Sequence, residues 1–132
     1  MRRFTLTCLL ILILPLVISS CGGDESVQVV GDASKGEELY KQKVIGSSGT
    51  PGCITCHSLE EGVTVVGPSH AGIAARVEES GLQVEDYLRT SIVDPNAVIA
   101  EGFSEGVMYQ NYATDLTSEQ IDDLVAFLMT LK

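Results

Sequence analysis

The chain has 132 residues and is acidic, with 18 Asp and Glu against 8 Lys and Arg and a formal net charge of −10. Its length and its hydrophobic content of 45% allow one globular domain with one modest core. Because nucleic acids are polyanions that attract basic surfaces, the charge argues against a nucleic-acid-binding protein.

The first segment of the chain, residues 1–20, has the layout of an export signal. Arg2 and Arg3 precede an apolar run at 9–14, and small serines close the segment. A retained membrane helix is the alternative, but the apolar run is short of the ~20 residues that a span needs, and Pro15 interrupts it. We therefore predict that this segment is removed and takes no part in the fold.

The run Ile18-Ser19-Ser20-Cys21-Gly22 resembles the lipobox of bacterial lipoproteins. The resemblance implies that Cys21 is lipidated and becomes the first residue of the mature protein; an ordinary cleavage site with an incidental cysteine is the alternative. Two or more acyl chains anchor a protein stably where one is marginal. Residues 21–31 are predicted to be a flexible tether. The protein is thus expected to be exported and held by lipid at the outer face of a membrane.

Four cysteines are present, and each has a predicted fate. Cys8 leaves with the signal, Cys21 takes lipid, and Cys53 and Cys56 stay in the domain. No second pair is left for a conventional disulfide, although small exported domains usually depend on such bridges. A large covalent cofactor is one alternative source of stability.

The net charge of the mature chain bears on its partners. Two of the eight basic residues precede residue 21, so the chain from Cys21 carries a net charge of about −12 rather than −10. A partner steered by this charge would present a basic patch. The alternative interpretation is that the charge only keeps the domain soluble.

The domain, residues 32–132, is predicted to be all-α, with about four helices and no convincing strand. Asp32 is a candidate N-cap, Gly81 is placed to end a helix, and Pro95 stops another. Thr117 and Gln120 form a capping box for the final helix. The predicted helices cover 33–40, about 69–79, about 84–93 and a final helix with Ile121, Leu124, Val125 and Leu128 on one face.

The run Cys53-Ile54-Thr55-Cys56-His57 predicts one covalently attached haem c. Two thiols at this spacing can both reach the vinyl groups on one edge of a porphyrin, and the next histidine can turn beneath the iron. Cys53 and Cys56 would form the thioethers, with His57 as the proximal ligand. A thioredoxin-like redox pair would need a βαβ context, and a structural zinc would need two further ligands where only His70 remains.

An electron carrier needs a sixth iron ligand, and three residues are candidates. Met108 lies in a glycine-bearing loop just before the final helix, and we favour it because a loop can carry a ligand over the far face of the haem. Met129 lies within the final helix, where methionine is typically core filling. His70 would give bis-histidine ligation with a lower potential, but its place after Gly67-Pro68 favours a surface position.

Taken together, these motifs resemble class I mono-haem cytochromes c over nearly all of residues 31–132. The resemblance rests on the run Asp32-Ala33-Ser34-Lys35-Gly36-Glu37-Glu38-Leu39-Tyr40, the C-x-x-C-H run, Gly67-Pro68, Met108 and the closing helix.

The resemblance implies an all-α fold in which the first and last helices cross beside the haem. Gly36 and Tyr40 would then meet the Phe127 region, with Gly36 allowing close backbone approach. The carbonyl of Pro68 would accept a hydrogen bond from His57 Nδ1.

The segment 91–103 is similar to cytochrome c domains linked to haem-copper oxidase subunit II and to small haem subunits of alternative complex III. The chain departs from that pattern after the ligand, with Met108-Tyr109 in place of the usual Met-Pro. This departure weakens the expected rigidity of the ligand loop and leaves a labile iron–sulfur bond possible.

These features predict a membrane-anchored electron carrier rather than an enzyme. It would pass single electrons between respiratory or photosynthetic membrane complexes, through redox protein partners with a basic docking patch. The alternative is a haem gas sensor or small peroxidase with a labile sixth ligand, which Tyr109 beside the ligand position keeps open.

Overall fold

Helices dominate the part of the chain that the computed structural model describes, residues 30–132. The predicted signal, the lipidation site Cys21 and most of the predicted tether lie outside these residues. The elements in chain order are α1 (Ala33–Lys41), β1 (Val44–Ile45), β2 (Thr50–Pro51), a 3₁₀ turn (Cys53–Thr55), α2 (Ile73–Glu79), α3 (Val84–Val93), α4 (Tyr112–Asp115) and α5 (Ser118–Met129).

Helices α1 and α5 cross at close range, as the resemblance implies. Gly36 is buried at the crossing, and a Cβ built on it would lie 1.9 Å from the carbonyl oxygen of Asp123. Further along α1 the Tyr40 ring lies 5.3 Å from the Phe127 ring, centroid to centroid. The contact explains why glycine is needed at position 36, since any side chain would push the two backbones apart.

The helix starts follow their capping residues. The side chain of Asp32 accepts hydrogen bonds from the backbone of the first turn of α1, and Thr117 and Gln120 form the reciprocal capping box of α5. The predictions for α1, α3 and α5 are confirmed. The core that they build contains Tyr40, Ile45, Leu88, Ile92, Tyr112, Leu116, Ile121, Leu124, Val125, Phe127 and Leu128.

Three parts of the structure differ from the prediction. An antiparallel hairpin pairs Ile45 with Thr50 where no strand was expected, because two-residue strands are too short to show an alternating pattern. Helix α2 begins at Ile73 rather than near residue 69, because Gly72 has a φ of +62° that ends any continuous helix there. The short α4 was not predicted and raises the helix count within residues 30–132 to five.

The chain between α3 and α4 is a loop, as predicted. Gly102 and Gly106 take positive φ angles of 85° and 75°, which glycine adopts without steric cost. Within residues 30–132, no helix is both long and apolar enough to cross a membrane.

Candidate functional site

A large cavity opens between the segment that follows the 3₁₀ turn and the loop that precedes α4. Its volume is about 1030 Å³, at the upper end of the ~300–1,000 Å³ typical of ligand pockets. Its wall is largely apolar, and Cys56, His57, Pro68, Met108 and Tyr109 all border it. The cavity therefore collects most of the residues singled out from the sequence.

The Cys-x-x-Cys-His run is folded by its own backbone. The amides of Cys56 and His57 both donate to the carbonyl of Cys53, at 3.1 and 2.9 Å. Gly52 leads into this turn, and a Cβ there would lie 1.8 Å from the carbonyl oxygen of Gln42. The tight turn brings the side chains of Cys56 and His57 to the same cavity.

His57 is fixed in the tautomer that a metal ligand requires. Its Nδ1 lies 2.8 Å from the carbonyl oxygen of Pro68, which can only accept, so Nδ1 carries the proton and Nε2 keeps its lone pair. Burial lowers the pKa of His57 from its ordinary value, which also favours the neutral ring. The hydrogen bond to Pro68 that the resemblance implied is present.

The loop after His57 is shaped to deliver that carbonyl. The amides of Val66 and Gly67 both donate to the carbonyl of Cys56, at 3.1 and 2.9 Å, and so fold the loop back. A Cβ on Gly67 would lie 2.4 Å from His57 Cε1, so only glycine fits beside the ring. The sequence marked Gly67 only as part of a family pattern, and the structure gives its physical reason.

The surroundings of Cys53 do not favour the thiolate that a reactive redox pair needs. Cys53 and Cys56 are not joined in a disulfide, and burial raises the pKa of the Cys53 thiol to about 12. A reactive dithiol needs a lowered pKa, because the thiolate is the nucleophile. Within residues 30–132, no group of three or more His, Cys, Asp or Glu side chains could hold a metal ion, so a structural zinc site is not assembled there.

His70 is not a surface residue, contrary to the prediction. Its ring stacks on the His57 ring, with centroids 3.9 Å apart and planes at 16°. Its Nδ1 lies 3.1 Å from the hydroxyl of the fully buried Tyr40, and burial lowers the pKa of His70 to about 3. With its ring stacked on His57 and its Nδ1 held by Tyr40, His70 would not be placed to supply a second ligand to an iron bound by His57.

The two candidate methionines lie in different surroundings. Met108 is half-buried and borders the cavity on the loop before α4, whereas Met129 lies in α5 and packs against the core. Met108 is therefore the methionine that shares a cavity with His57. Its role as an iron ligand stays a prediction that this arrangement supports.

Side chains that the sequence did not single out hold the Met108 loop. Tyr109 donates from its hydroxyl to Asp115 Oδ2 at 2.5 Å, and Thr50 Oγ1 donates to the same oxygen at 2.9 Å. The hydrogen bond from Tyr109 is the main reason that the pKa of Asp115 lies below its ordinary value. No local pattern marks this contact, because it joins a loop, a short helix and a hairpin.

The donor set and the cavity fit a covalently attached haem. Cys53 and Cys56 supply unbridged thiols at the spacing of the Cys-x-x-Cys-His motif, and of the two Cys56 borders the cavity. His57 offers Nε2 to an iron. The apolar wall suits a macrocycle, with Val66, Ile73, Leu88, Ile92 and Phe103 among its members. The residues therefore agree with the cofactor that the motif predicts.

Comparison with known proteins gives one family. The family model described as cytochrome c matches residues 33–132, which covers α1 to the end of the described chain. No curated protein matches the sequence. Proteins of this family carry haem c bound through a Cys-x-x-Cys-His run and use it for electron transfer. The chain therefore belongs to the cytochrome c family, and haem c is its cofactor.

Proposed function

We propose that this protein is a lipid-anchored carrier of single electrons whose one haem iron is held by His57 and Met108. One observation carries the proposal: His57, locked with its Nε2 lone pair available, shares a cavity with Met108. A thioether sulfur as sixth ligand keeps the iron six-coordinate and raises its potential, as an electron carrier requires. No substrate is transformed in this role.

The chain's own residues set the conditions under which the haem works. The haem supplies the one-electron couple when bound. The hydrogen bond from His57 Nδ1 to Pro68 orients the imidazole and increases its electron donation. With the haem in place, the largely apolar wall would exclude water from the ligand side chains and so would strengthen electrostatic effects inside the cavity.

The charges of the described surface support a basic partner. Most basic side chains are already neutralised in salt bridges with carboxylates; the pairs are Lys35–Glu119, Lys41–Glu37, Arg89–Glu85, Arg89–Asp122 and Lys132–Glu78. In the loop after His57, the exposed Glu60 and Glu61 form no salt bridge within residues 30–132, and the exposed Val63 and Val65 follow them in the chain. We infer that a redox partner with a basic patch docks over this loop.

Lipidation of Cys21 would determine at which surface the protein meets its redox partners. If Cys21 is lipidated as the lipobox resemblance implies, the domain is exported and stays at the outer face of a membrane, and its partners are membrane complexes of electron transport or proteins that dock on them. Mass spectrometry of the mature N-terminus tests this: a diacylated or triacylated Cys21 is expected. A mature N-terminus without acyl chains at another residue would contradict lipid anchoring. It would leave the assignment of the haem site unaffected.

Carbon monoxide binding to the reduced protein tests the carrier role. A six-coordinate iron with Met108 in place should bind carbon monoxide slowly and weakly at neutral pH. The matched variant Met108→Ala should bind it rapidly, because the sixth position is then open. Rapid and tight binding by the unmodified protein would instead favour the gas sensor or small peroxidase.

A further inference from the structure

The residue directly after Met108 is tied into the protein by its hydroxyl group. Tyr109 is half-buried, and its hydroxyl donates to Asp115 Oδ2 at 2.5 Å. The same oxygen accepts from Oγ1 of Thr50, which is buried in strand β2. A loop residue is thus fixed to a helix and to a hairpin through one carboxylate.

The loop has little else to hold it in place. Within the described chain, residues 104–110 form no backbone–backbone hydrogen bond, and Gly102 and Gly106 at positive φ leave the backbone pliable. A ligand carried on such a segment can move away from the iron unless side chains restrain it. The restraints must therefore come from residues next to Met108.

The Tyr109 ring adds a second contact toward the same hairpin. It meets the Tyr112 ring edge-on, with centroids 5.2 Å apart and planes at 72°. The hydroxyl of Tyr112 donates to the carbonyl of Pro51 at 2.8 Å. Both tyrosines therefore join the Met108 loop to residues 50 and 51, immediately before the haem-attachment run.

A separate set of polar contacts holds the outer side of the loop. Asn96 accepts from the amide of Gly106 at 2.8 Å and donates to Gln110 at 2.7 Å, and Gln110 donates to the carbonyl of Met108 at 2.5 Å. These polar groups are exposed, so water competes with each bond. The bond from Tyr109 to a charged carboxylate in a half-buried place is the stronger kind of restraint.

We propose that Tyr109 is a positioning residue for the sixth ligand: its hydroxyl bond to Asp115 holds Met108 over the cavity and makes up for the proline that usually follows this ligand. The inference rests on the proposed function, because it takes Met108 as the iron ligand. It also reverses the expectation from the sequence alone that the Met108-Tyr109 pair leaves the loop loose.

Imidazole added to the oxidised, haem-loaded protein measures this restraint, since it competes with Met108 for the iron. Tyr109→Phe removes the hydroxyl and keeps the ring. Loss of a hydrogen bond to a charged group should tighten the apparent binding of imidazole roughly ten-fold. Asp115→Asn keeps the side-chain volume, removes the charge, and should act in the same direction with a smaller effect.

Asp86→Asn is the matched control, because it removes a carboxylate charge from an exposed residue of α3 that does not border the cavity. This variant should bind imidazole with the affinity of the unmodified protein. The proposal is overturned if Tyr109→Phe and Asp115→Asn both stay within two-fold of that affinity. If Met108→Ala instead keeps the sulfur-to-iron charge-transfer band, the proposed ligation fails at an earlier step, and the two failures are distinguished.

Discussion

The wall of the cavity that carries His57, here the proximal wall (residues 53–70), differs from the wall that carries Met108, the distal wall (residues 94–111). Backbone hydrogen bonds fold the proximal wall, including those from His57 to Cys53 and from Gly67 to Cys56. The distal wall is held mainly by side chains, of which Tyr109 makes the most protected contact.

The difference determines how each wall responds to substitution. A wall folded by backbone hydrogen bonds keeps its shape through most side-chain substitutions. It is disturbed where an added atom would clash with His57. A wall held by side chains can be loosened one hydrogen bond at a time. The position of His57 is thus fixed by the backbone, whereas the position of Met108 depends on individual side-chain hydrogen bonds.

The largest effect is expected from removing both attachment points on the proximal wall. Cys53→Ala with Cys56→Ala should abolish covalent haem and leave the cavity of about 1030 Å³ without its contents. Haem staining after denaturing electrophoresis should be negative, and the melting temperature should fall sharply. Ile54→Val, within the same run, is the control and should retain both. A haem-stained band in the double variant would contradict covalent attachment at these residues.

A single added methyl group on the proximal wall comes next. In Gly67→Ala the new Cβ would lie 2.4 Å from His57 Cε1, so the ring or the loop must shift. We expect a loss of about 1–3 kcal/mol in the free energy of unfolding, with a changed reduction potential. Val65→Ala, exposed in the same loop, should change neither quantity. Equal stability and potential in both variants would show that the clash is relieved without moving His57.

Variants of Tyr40 and His70 test how much the hydrogen bond between these residues contributes to the stability of the proximal wall. His70→Leu leaves the buried Tyr40 hydroxyl without its partner, which should cost about 1–3 kcal/mol of unfolding free energy. Tyr40→Phe combined with His70→Leu should be less destabilised than the sum of the two single variants. Strict additivity in chemical denaturation would mean that the hydrogen bond contributes nothing.

The smallest effect concerns the pH dependence of the distal wall. Hydrogen bonds from Tyr109 and Thr50 lower the pKa of Asp115 below its ordinary 3.8, so the unfolded chain binds this proton more readily than the folded one. The resulting stabilisation is present above pH 3.8 and is lost as the pH falls through the lowered pKa. Urea midpoints of Asp115→Asn should therefore decline less on acidification than those of the unmodified protein. If the urea midpoints of both proteins decline equally with falling pH, Asp115 makes no such contribution to stability.

Features with a local cause could be predicted from the sequence. The helices α1 and α5 begin at Asp32 and Thr117, whose side chains cap the next turn, and these choices need no distant partner. The same holds for the Cys-x-x-Cys-His run, which folds through its own backbone. The predictions of α1 and α5 are therefore confirmed, and the run agrees with haem c as the cofactor.

Features that depend on distant contacts were missed. The place of His70 depends on a loop that folds back onto His57, and the surface position expected for it was wrong. The bond between Tyr109 and Asp115 exists because the unpredicted α4 lies beside a two-residue strand. Such short elements have no periodicity of their own, so tertiary packing decides them.

The most direct test of the account compares the two methionines in the oxidised, haem-loaded protein. Sulfur ligation of the iron gives a weak red charge-transfer band, and we predict that Met108→Ala abolishes it while Met129→Ala leaves it unchanged. Met129 packs against the core, so its loss should lower stability and leave the iron's surroundings intact. Loss of the band in Met129→Ala, or its survival in Met108→Ala, would contradict the assignment of Met108.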